Sequence, residues 1–171
     1  MGDLILEDAA VPASARLGAE GQGLAVFSAA MEWERACIFA ANLGAMQRVL
    51  DRCVEHARVR KQFGQSIGKF SAVADRLVRA QTEIELARLL LQRLGWKKGR
   101  GQDATTDAAM AKLFISEAHV QLTLDAIQIF GGYGYCTEYE IEREHRDAVA
   151  SRIYSGTSEI QRKILAHALG L

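Results

Sequence analysis

The sequence contains a single proline, Pro12, so the backbone from Ala13 to Leu171 has no ring that would interrupt a helix. Over most of that stretch, apolar residues recur at intervals of three and four, which is the spacing of one helix face. Long amphipathic helices joined by few loops are typical of an antiparallel bundle. We therefore predict an all-α fold, an up-down four-helix bundle over residues 24–171, preceded by a short extended segment.

The predicted helices are separated by glycine-rich or polar turns. Their predicted spans are about 24–60, 70–98, 103–130, 138–151 and 158–168. The apolar face of the first helix contains one carboxylate, Glu34, between Met31 and Ile38. Burial there would remove water from the carboxylate and suit it to accept a proton. An ion pair with a neighbour such as Arg35 explains the same residue equally well.

The first 23 residues differ from the rest of the chain. The apolar run Leu4-Ile5-Leu6 and the glycine-rich stretch 18–23 predict one strand and a loop. A single strand cannot satisfy its own backbone hydrogen bonds, and the sequence offers no second strand. We therefore expect a partner or a missing upstream domain.

Composition excludes several classes of function. Lys and Arg total 21, as do Asp and Glu, so the neutral chain has no electrostatic preference for nucleic acid or an anionic membrane. No apolar run or leader predicts membrane insertion or secretion. The irregular spacing of Cys37, Cys53 and Cys136 predicts reduced thiols in the cytoplasm, and the histidines form no metal-binding pattern.

Three stretches carry weaker signals: Arg60-Lys61-Gln62-Phe63-Gly64-Gln65, residues 125–135 around Gly131-Gly132-Tyr133-Gly134, and residues 146–161 with the turn Ser155-Gly156-Thr157-Ser158. Each has an ordinary explanation as a helix end or cap. The first could also bind a phosphate, the second could let a ligand approach the backbone closely, and the third could bind an anion. Together and in this order they resemble the C-terminal α-domain of the acyl-CoA dehydrogenase family. The resemblance implies that residues 1–23 are the end of a missing β-domain and its linker.

Members of this family use FAD to oxidise an acyl thioester, on CoA or on a carrier protein, between Cα and Cβ. A carboxylate removes the α-proton and a hydride leaves the β-carbon for the flavin. The resemblance further implies an electron-transfer flavoprotein or similar acceptor and a homodimer or homotetramer. It also implies that this chain is inactive until its missing domains are supplied, for example by a separate chain.

In most members the base is the glutamate of an Ile-Tyr-Glu-Gly-Thr turn, and here Ser155 occupies that position. A minority branch, which includes the isovaleryl-CoA and long-chain enzymes, carries its base on the first helix before an arginine. The matching residues are Trp33-Glu34-Arg35. The resemblance thus implies Glu34 as base, the Ser155 backbone N–H as donor to the substrate carbonyl, and Arg35 beside the substrate.

The resemblance also implies two sets of FAD contacts. The diphosphate and adenosine side of an FAD bound mainly by a neighbouring subunit would contact Arg60, Gln62 and Phe63. The adenine side, across the same interface, would contact Gln128 and Gly132. The subunit's own FAD would contact Thr157 and Glu159.

Two other classes of function stay open. One is a relative with different flavin chemistry, an oxidase or monooxygenase, which need not use Glu34 as a base. The other is a non-catalytic helical module that retains only the subunit interface. Flavin absorbance and solution mass of the purified chain distinguish this last class.

Overall fold

The computed structural model describes residues 2–171. The helices and strands in chain order are α1 (Gly23–Val59), β1 (Lys61–Gln62), β2 (Gln65–Ser66), α2 (Ser71–Lys98), α3 (Thr105–Phe130), α4 (Gly132–Tyr135), α5 (Ile141–Ala150) and α6 (Ser158–Ala168). Short 3-10 turns lie at Ala13–Ala15, Ile67–Lys69 and Thr137–Tyr139. The predicted all-α fold class is confirmed, and the long helices begin and end within two residues of the predicted positions.

The central helix of the bundle is α3, which packs against α1, α2, α5 and α6. Its composition explains this position, because many of its buried residues are small: Ala108, Ala109, Ala111, Ala118 and Ala126. Alanines let neighbouring helix backbones approach closely on several sides. Larger side chains from the flanking helices fill the space between them: Phe39, Met46, Leu50, Ile84 and Leu94. The helix α1, which carries Glu34 and Arg35, and the helix α6, which carries Glu159, are therefore both fixed against α3.

Two buried carboxylates of α3 bind cationic side chains of α2. Asp107 lies 2.7 Å from Arg93 and 2.5 Å from Lys97. Asp125, near the other end of α3, forms ion pairs with Arg76 and Arg79. A buried charge is tolerated only where it is paired, so these contacts fix the register of α2 along α3.

The prediction for the apolar face of α1 is wrong in the first half of the helix. Leu24 and Phe27 are 77% and 60% exposed, and full burial begins only at Phe39. With 37 residues, α1 is about 55 Å long and extends past its neighbours. The end of α2 and the start of α3 meet α1 at Glu32, which binds Lys98 and Thr105. The residues before it project beyond the bundle. On α2, the predicted face is confirmed: its buried residues are Ala80, Ile84, Ala87 and Leu94.

The prediction of a strand at Leu4–Leu6 is also wrong. These residues have no regular structure, and all three side chains are largely exposed. No other extended segment of residues 2–171 lies beside them to accept or donate the hydrogen bonds of a ladder, and a strand does not form without such a neighbour. None of the helices in residues 2–171 combines the length and the apolar composition needed to cross a bilayer.

One buried polar residue of α3 gives the fold a dependence on pH. His119 is only 4% exposed, and neither ring nitrogen has a hydrogen-bond partner among residues 2–171. Burial lowers the pKa of His119 from its ordinary value of 6.5 to about 4, although Glu144 opposes the shift. The histidine is therefore neutral in the folded core at neutral pH.

We predict that the chain loses stability as the pH falls from 6.5 towards 4. In that window the unfolded state binds a proton at His119 and the folded state does not, so the free energy of unfolding falls by up to about 3 kcal/mol. Urea unfolding at pH 7.0 and 4.5 measures the loss. The variant His119→Phe should remove most of it, while the exposed His167→Gln should retain it. An equal loss in both variants would contradict the prediction.

Candidate functional site

The turn between α5 and α6 has an uncommon backbone. Ser155 and Gly156 have φ values of 56° and 88°, both in the left-handed region that favours glycine. The carbonyl of Ser155 accepts a hydrogen bond of 3.1 Å from Nε of Arg35, and the carbonyl of Gly156 accepts one of 2.9 Å from Nε2 of Gln161. The turn is therefore fixed from α1 on one side and from α6 on the other.

A third contact attaches the same turn to α1. The hydroxyl group of Tyr154 and the side-chain amide of Asn42 are 2.9 Å apart at their closest donor and acceptor atoms. The ring of Tyr154 also packs on Phe39, with 5.9 Å between the ring centroids. Because these contacts hold Tyr154 against α1, they also keep the next residue, Ser155, close to that helix.

Glu34 and Ser155 are in direct contact, although 121 residues separate them in the sequence. The hydroxyl group of Ser155 donates a hydrogen bond of 2.6 Å to Oε1 of Glu34. Glu34 is exposed, so the expectation that it is desolvated on a buried helix face is wrong for this chain. It lies on α1 before Phe39, where full burial begins, so this part of the helix stays open to solvent. The carboxylate is thus held from one side and open on the other.

Two further groups lie beside this contact: the backbone N–H of Ser155 and the guanidinium group of Arg35. The backbone N–H of Ser155 donates no hydrogen bond within residues 2–171, although its residue is only 7% exposed. Partial burial lowers the pKa of Arg35, while the carboxylates Glu32 and Glu34 act in the opposite direction. The guanidinium group stays charged and lies between the turn and these carboxylates.

The start of α6 forms the next part of the site. Thr157 and Glu159, together with Arg152 and Ile153, line a shallow cavity of about 250 Å³. The pKa of Glu159 is lowered by its own backbone N–H and by the hydroxyl group of Thr157. Both predicted residues therefore face the same opening, next to the Ser155 turn.

Three of the other predicted FAD contacts, Arg60, Gln62 and Phe63, lie at the far end of α1, on or next to a hairpin that the sequence analysis missed. Lys61 pairs with Ser66 and Gln62 with Gln65, and the two residues between have φ values of 50° (Phe63) and 79° (Gly64). Positive φ at both positions defines a type I′ turn, which usually contains Asn-Gly or Asp-Gly. Phenylalanine in the first position concealed that signal.

This hairpin presents Phe63 to the outside. The ring is 93% exposed and contacts only the edge of Phe70 among the aromatic rings, at 6.1 Å between centroids. A large apolar side chain held in a strained backbone conformation and directed away from its own domain is typical of a contact to another molecule.

Arg60, Gln62 and Gly132 line one cavity of about 520 Å³ beside the hairpin. Its walls include three aromatic rings to which the sequence analysis assigned no role: His56, Phe130 and Tyr133. His56 stacks on Phe130 at 4.1 Å, and the Arg60 guanidinium group lies 5.7 Å from the centre of the Tyr133 ring. Partial burial and then the charge of Arg60 lower the pKa of His56.

Gln128 lies in the last turn of α3, four residues before Gly132, with its side chain exposed. It does not line the cavity. Within residues 2–171 no group of three His, Cys, Asp or Glu side chains could hold a metal ion.

The predicted site residues thus form two separate clusters. Glu34 and Arg60 are 26 residues apart, on α1 and at its C-terminal end, which corresponds to about 39 Å along an α-helix. The cluster at Ser155 and the cluster at Arg60 therefore lie far apart along α1.

Comparison with known proteins assigns the chain to a class. The family model for the C-terminal domain of acyl-CoA dehydrogenases matches residues 21–170. The chain belongs to the acyl-CoA dehydrogenase family, as its sequence resemblance predicts, and it comprises the C-terminal helical domain.

Individual relatives include enzymes of two kinds. The chain is 45% identical to an L-prolyl-[peptidyl-carrier protein] dehydrogenase of Pseudomonas fluorescens, over 99% of this chain and 45% of that protein. It is 38% identical to a short-chain acyl-CoA dehydrogenase of Megasphaera elsdenii, over 98% of this chain and 44% of that protein. The crystal structure of the prolyl acyl carrier protein oxidase AnaB matches with 53% identity and a TM-score of 0.93, over 97% of this chain and 44% of that one. The chain spans less than half the length of these relatives.

We predict that Gly156→Ala destabilises the chain by about 1–3 kcal/mol, because alanine is strained at this positive φ. Its methyl group would also lie 2.9 Å from Nε2 of Gln161, a buried atom already bonded to the turn. Urea unfolding followed by circular dichroism measures the change. The matched control is Gly44→Ala, where an added methyl group meets nothing within 4 Å, and helix propensity should stabilise that variant by about 0.5–1 kcal/mol. Equal effects in the two variants would contradict the assigned backbone of the turn.

Proposed function

We propose that this chain is the base-bearing C-terminal part of an FAD-dependent dehydrogenase that oxidises a thioester between Cα and Cβ. The observation that carries the proposal is the contact between Glu34 and Ser155. Ser155 occupies the position of the usual catalytic glutamate, and the carboxylate that reaches this position comes from α1 instead. In this proposal the base lies on α1 and not in the turn, and its carboxylate reaches the same part of the site as the usual glutamate.

In this proposal Glu34 accepts the α-proton of the substrate through its exposed side. The free N–H of Ser155 donates a hydrogen bond to the thioester carbonyl and stabilises the negative charge that forms there as the proton leaves. Arg35 binds the carbonyl of Ser155 and so helps to hold the turn that carries that N–H. Bound FAD would supply the acceptor for the hydride that leaves the β-carbon.

The cavities described above have the donor set that FAD requires. Arg60 provides a cation for a diphosphate, and the stacked rings of His56 and Phe130 provide an apolar wall for a flat heterocycle. The opening at Thr157 and Glu159 lies beside the Ser155 turn. Because about 39 Å separates the two clusters, we propose that the first contacts the FAD of a neighbouring subunit and the second contacts the subunit's own FAD.

We further propose that the thioester is carried by a carrier protein and that its acyl group is prolyl. Relatives named as prolyl-carrier-protein enzymes are 45%, 43% and 53% identical to this chain, while the short-chain acyl-CoA relative is 38% identical. Turnover of prolyl groups on carrier protein and on CoA by the complete enzyme tests this. A preference for CoA would contradict it.

An oxidase is the second candidate, because the AnaB oxidase is 53% identical to this chain. The proton transfer to Glu34 would be the same, and dioxygen would replace an electron-transfer flavoprotein as the final acceptor. One hydrogen peroxide formed for each substrate oxidised, without added acceptor, would identify the oxidase.

For assembly, we propose a homodimer or a dimer of dimers, in which residues 1–23 connect this domain to a preceding β-domain on the same or a separate chain. The three cysteines are free thiols in residues 2–171, which fits the expected cytoplasmic location. We use "complete enzyme" below for this chain joined to the N-terminal half of the Pseudomonas fluorescens relative.

We predict that Glu34→Gln lowers kcat of the complete enzyme by about 10²–10⁴-fold, the range that a general base contributes. Flavin absorbance should be unchanged, because no expected FAD contact is altered. Asp51→Asn is the matched control on the same helix. It changes an exposed carboxylate that contacts only Gln47, and its kcat should equal that of the wild type. Full activity of Glu34→Gln would refute the assigned base, and lack of turnover by a flavin-loaded wild type would favour the non-catalytic module.

We predict that mixing two inactive variants restores activity if the FAD site is shared between subunits. Glu34→Gln damages the subunit's own site, and Arg60→Ala damages its neighbour's. In a mixed dimer, one of the two sites then contains neither change. Random assortment after co-expression should return about a quarter of wild-type activity. No recovery, with mixed dimers verified by mass, would contradict the cross-subunit assignment of Arg60.

A further inference from the structure

We propose that the side-chain hydroxyl group of Ser155 is a positioning group, which holds the carboxylate of Glu34 in the orientation needed to accept the substrate proton. This inference rests on the proposed function of Glu34. It assigns a role to a side chain whose backbone alone was expected to participate.

The first argument is the geometry of the contact. Ser155 Oγ lies 2.6 Å from Oε1 of Glu34, at the short end of the range for a hydroxyl donor on a carboxylate. The donor has a fixed position, because Arg35 binds the carbonyl of Ser155 and Gln161 binds the carbonyl of Gly156. A serine hydroxyl has one proton to donate, and here it is directed to Glu34.

The second argument is that Glu34 has few other restraints. It is exposed, and it forms no ion pair and no other side-chain hydrogen bond within residues 2–171. A glutamate side chain free in solvent samples many rotamers. The bond from Ser155 selects one of them and engages only Oε1, so Oε2 remains available for the proton.

The charged groups around the contact have partners of their own. On α1, Glu32 binds Lys98, and Arg35 binds the carbonyl of Ser155. Arg152, before α6, binds Glu117. Glu159 of α6 is exposed and pairs with Arg162. Lys112 of α3 is the exception, because it is buried and has no hydrogen-bond partner within residues 2–171. None of these groups forms a hydrogen bond or ion pair with Glu34 within residues 2–171, so the hydroxyl group of Ser155 is the donor to its carboxylate.

The residue type at position 155 is consistent with this role. A glutamate here would place a second negative charge against Glu34, which is unfavourable for both. An alanine would leave Glu34 without a donor. Serine avoids the repulsion and supplies the hydrogen bond, although the left-handed backbone at this residue costs it some stability.

The test compares Ser155→Ala and Ser155→Gly in the complete enzyme. Both variants lack the hydroxyl group, but alanine keeps the strained backbone and glycine relieves it. We expect kcat to fall about tenfold in both, with KM changed less than twofold. If the hydroxyl group acts through Glu34, neither variant should change the residual rate in the Glu34→Gln background, because the carboxylate that it holds is then absent.

The matched control is Ser151→Ala, whose hydroxyl group donates to the carbonyl of Ala148, and its kcat should equal that of the wild type. A wild-type kcat in both Ser155 variants would overturn the inference, as would a loss in only one of them, which would indicate backbone strain. Loss of activity in Glu34→Gln together with wild-type Ser155 variants would refute this inference alone. Full activity of Glu34→Gln would refute the proposed function itself.

Discussion

The candidate site depends on one contact between distant parts of the chain, where the α5–α6 turn lies against α1. Three hydrogen bonds form this contact. The hydroxyl group of Ser155 donates to Glu34, and its carbonyl accepts from Arg35. The hydroxyl group of Tyr154 accepts from Asn42. Each bond alone is modest. Together they hold the α5–α6 turn at one position along α1, and so place the free N–H of Ser155 near the carboxylate of Glu34.

That contact requires a rigid frame, and α3 provides it. The helices α1, α5 and α6 all pack on α3, so the distance from the turn to Glu34 follows from helix packing and not from the flexible loop alone. The ion pairs of Asp107 and Asp125 fix α2 in the same frame. Glu34 precedes the fully buried part of α1 and stays open on one side, as the proposed proton transfer requires.

Sequence patterns predicted the helix boundaries well, because glycine turns and the 3–4 spacing are local signals. They wrongly predicted that Glu34 is buried, since periodicity shows which face of a helix is apolar but not which parts of that face the neighbouring helices cover. They failed at Leu4–Leu6 because a strand depends on a partner. The resemblance implied Glu34 and Ser155 as site residues, and the structure brings the two side chains into contact. The contacts of Gln161 and His56 are tertiary, and no local pattern reveals them.

The most direct test of this account is a double-mutant cycle on Glu34 and Ser155 in the complete enzyme. If the two side chains act as a unit, Ser155→Ala lowers the rate of flavin reduction about tenfold in the wild-type background and has no effect in the Glu34→Gln background. An equal loss in both backgrounds would mean that Ser155 acts independently of Glu34. The hydrogen bond between them would then have no part in the chemistry.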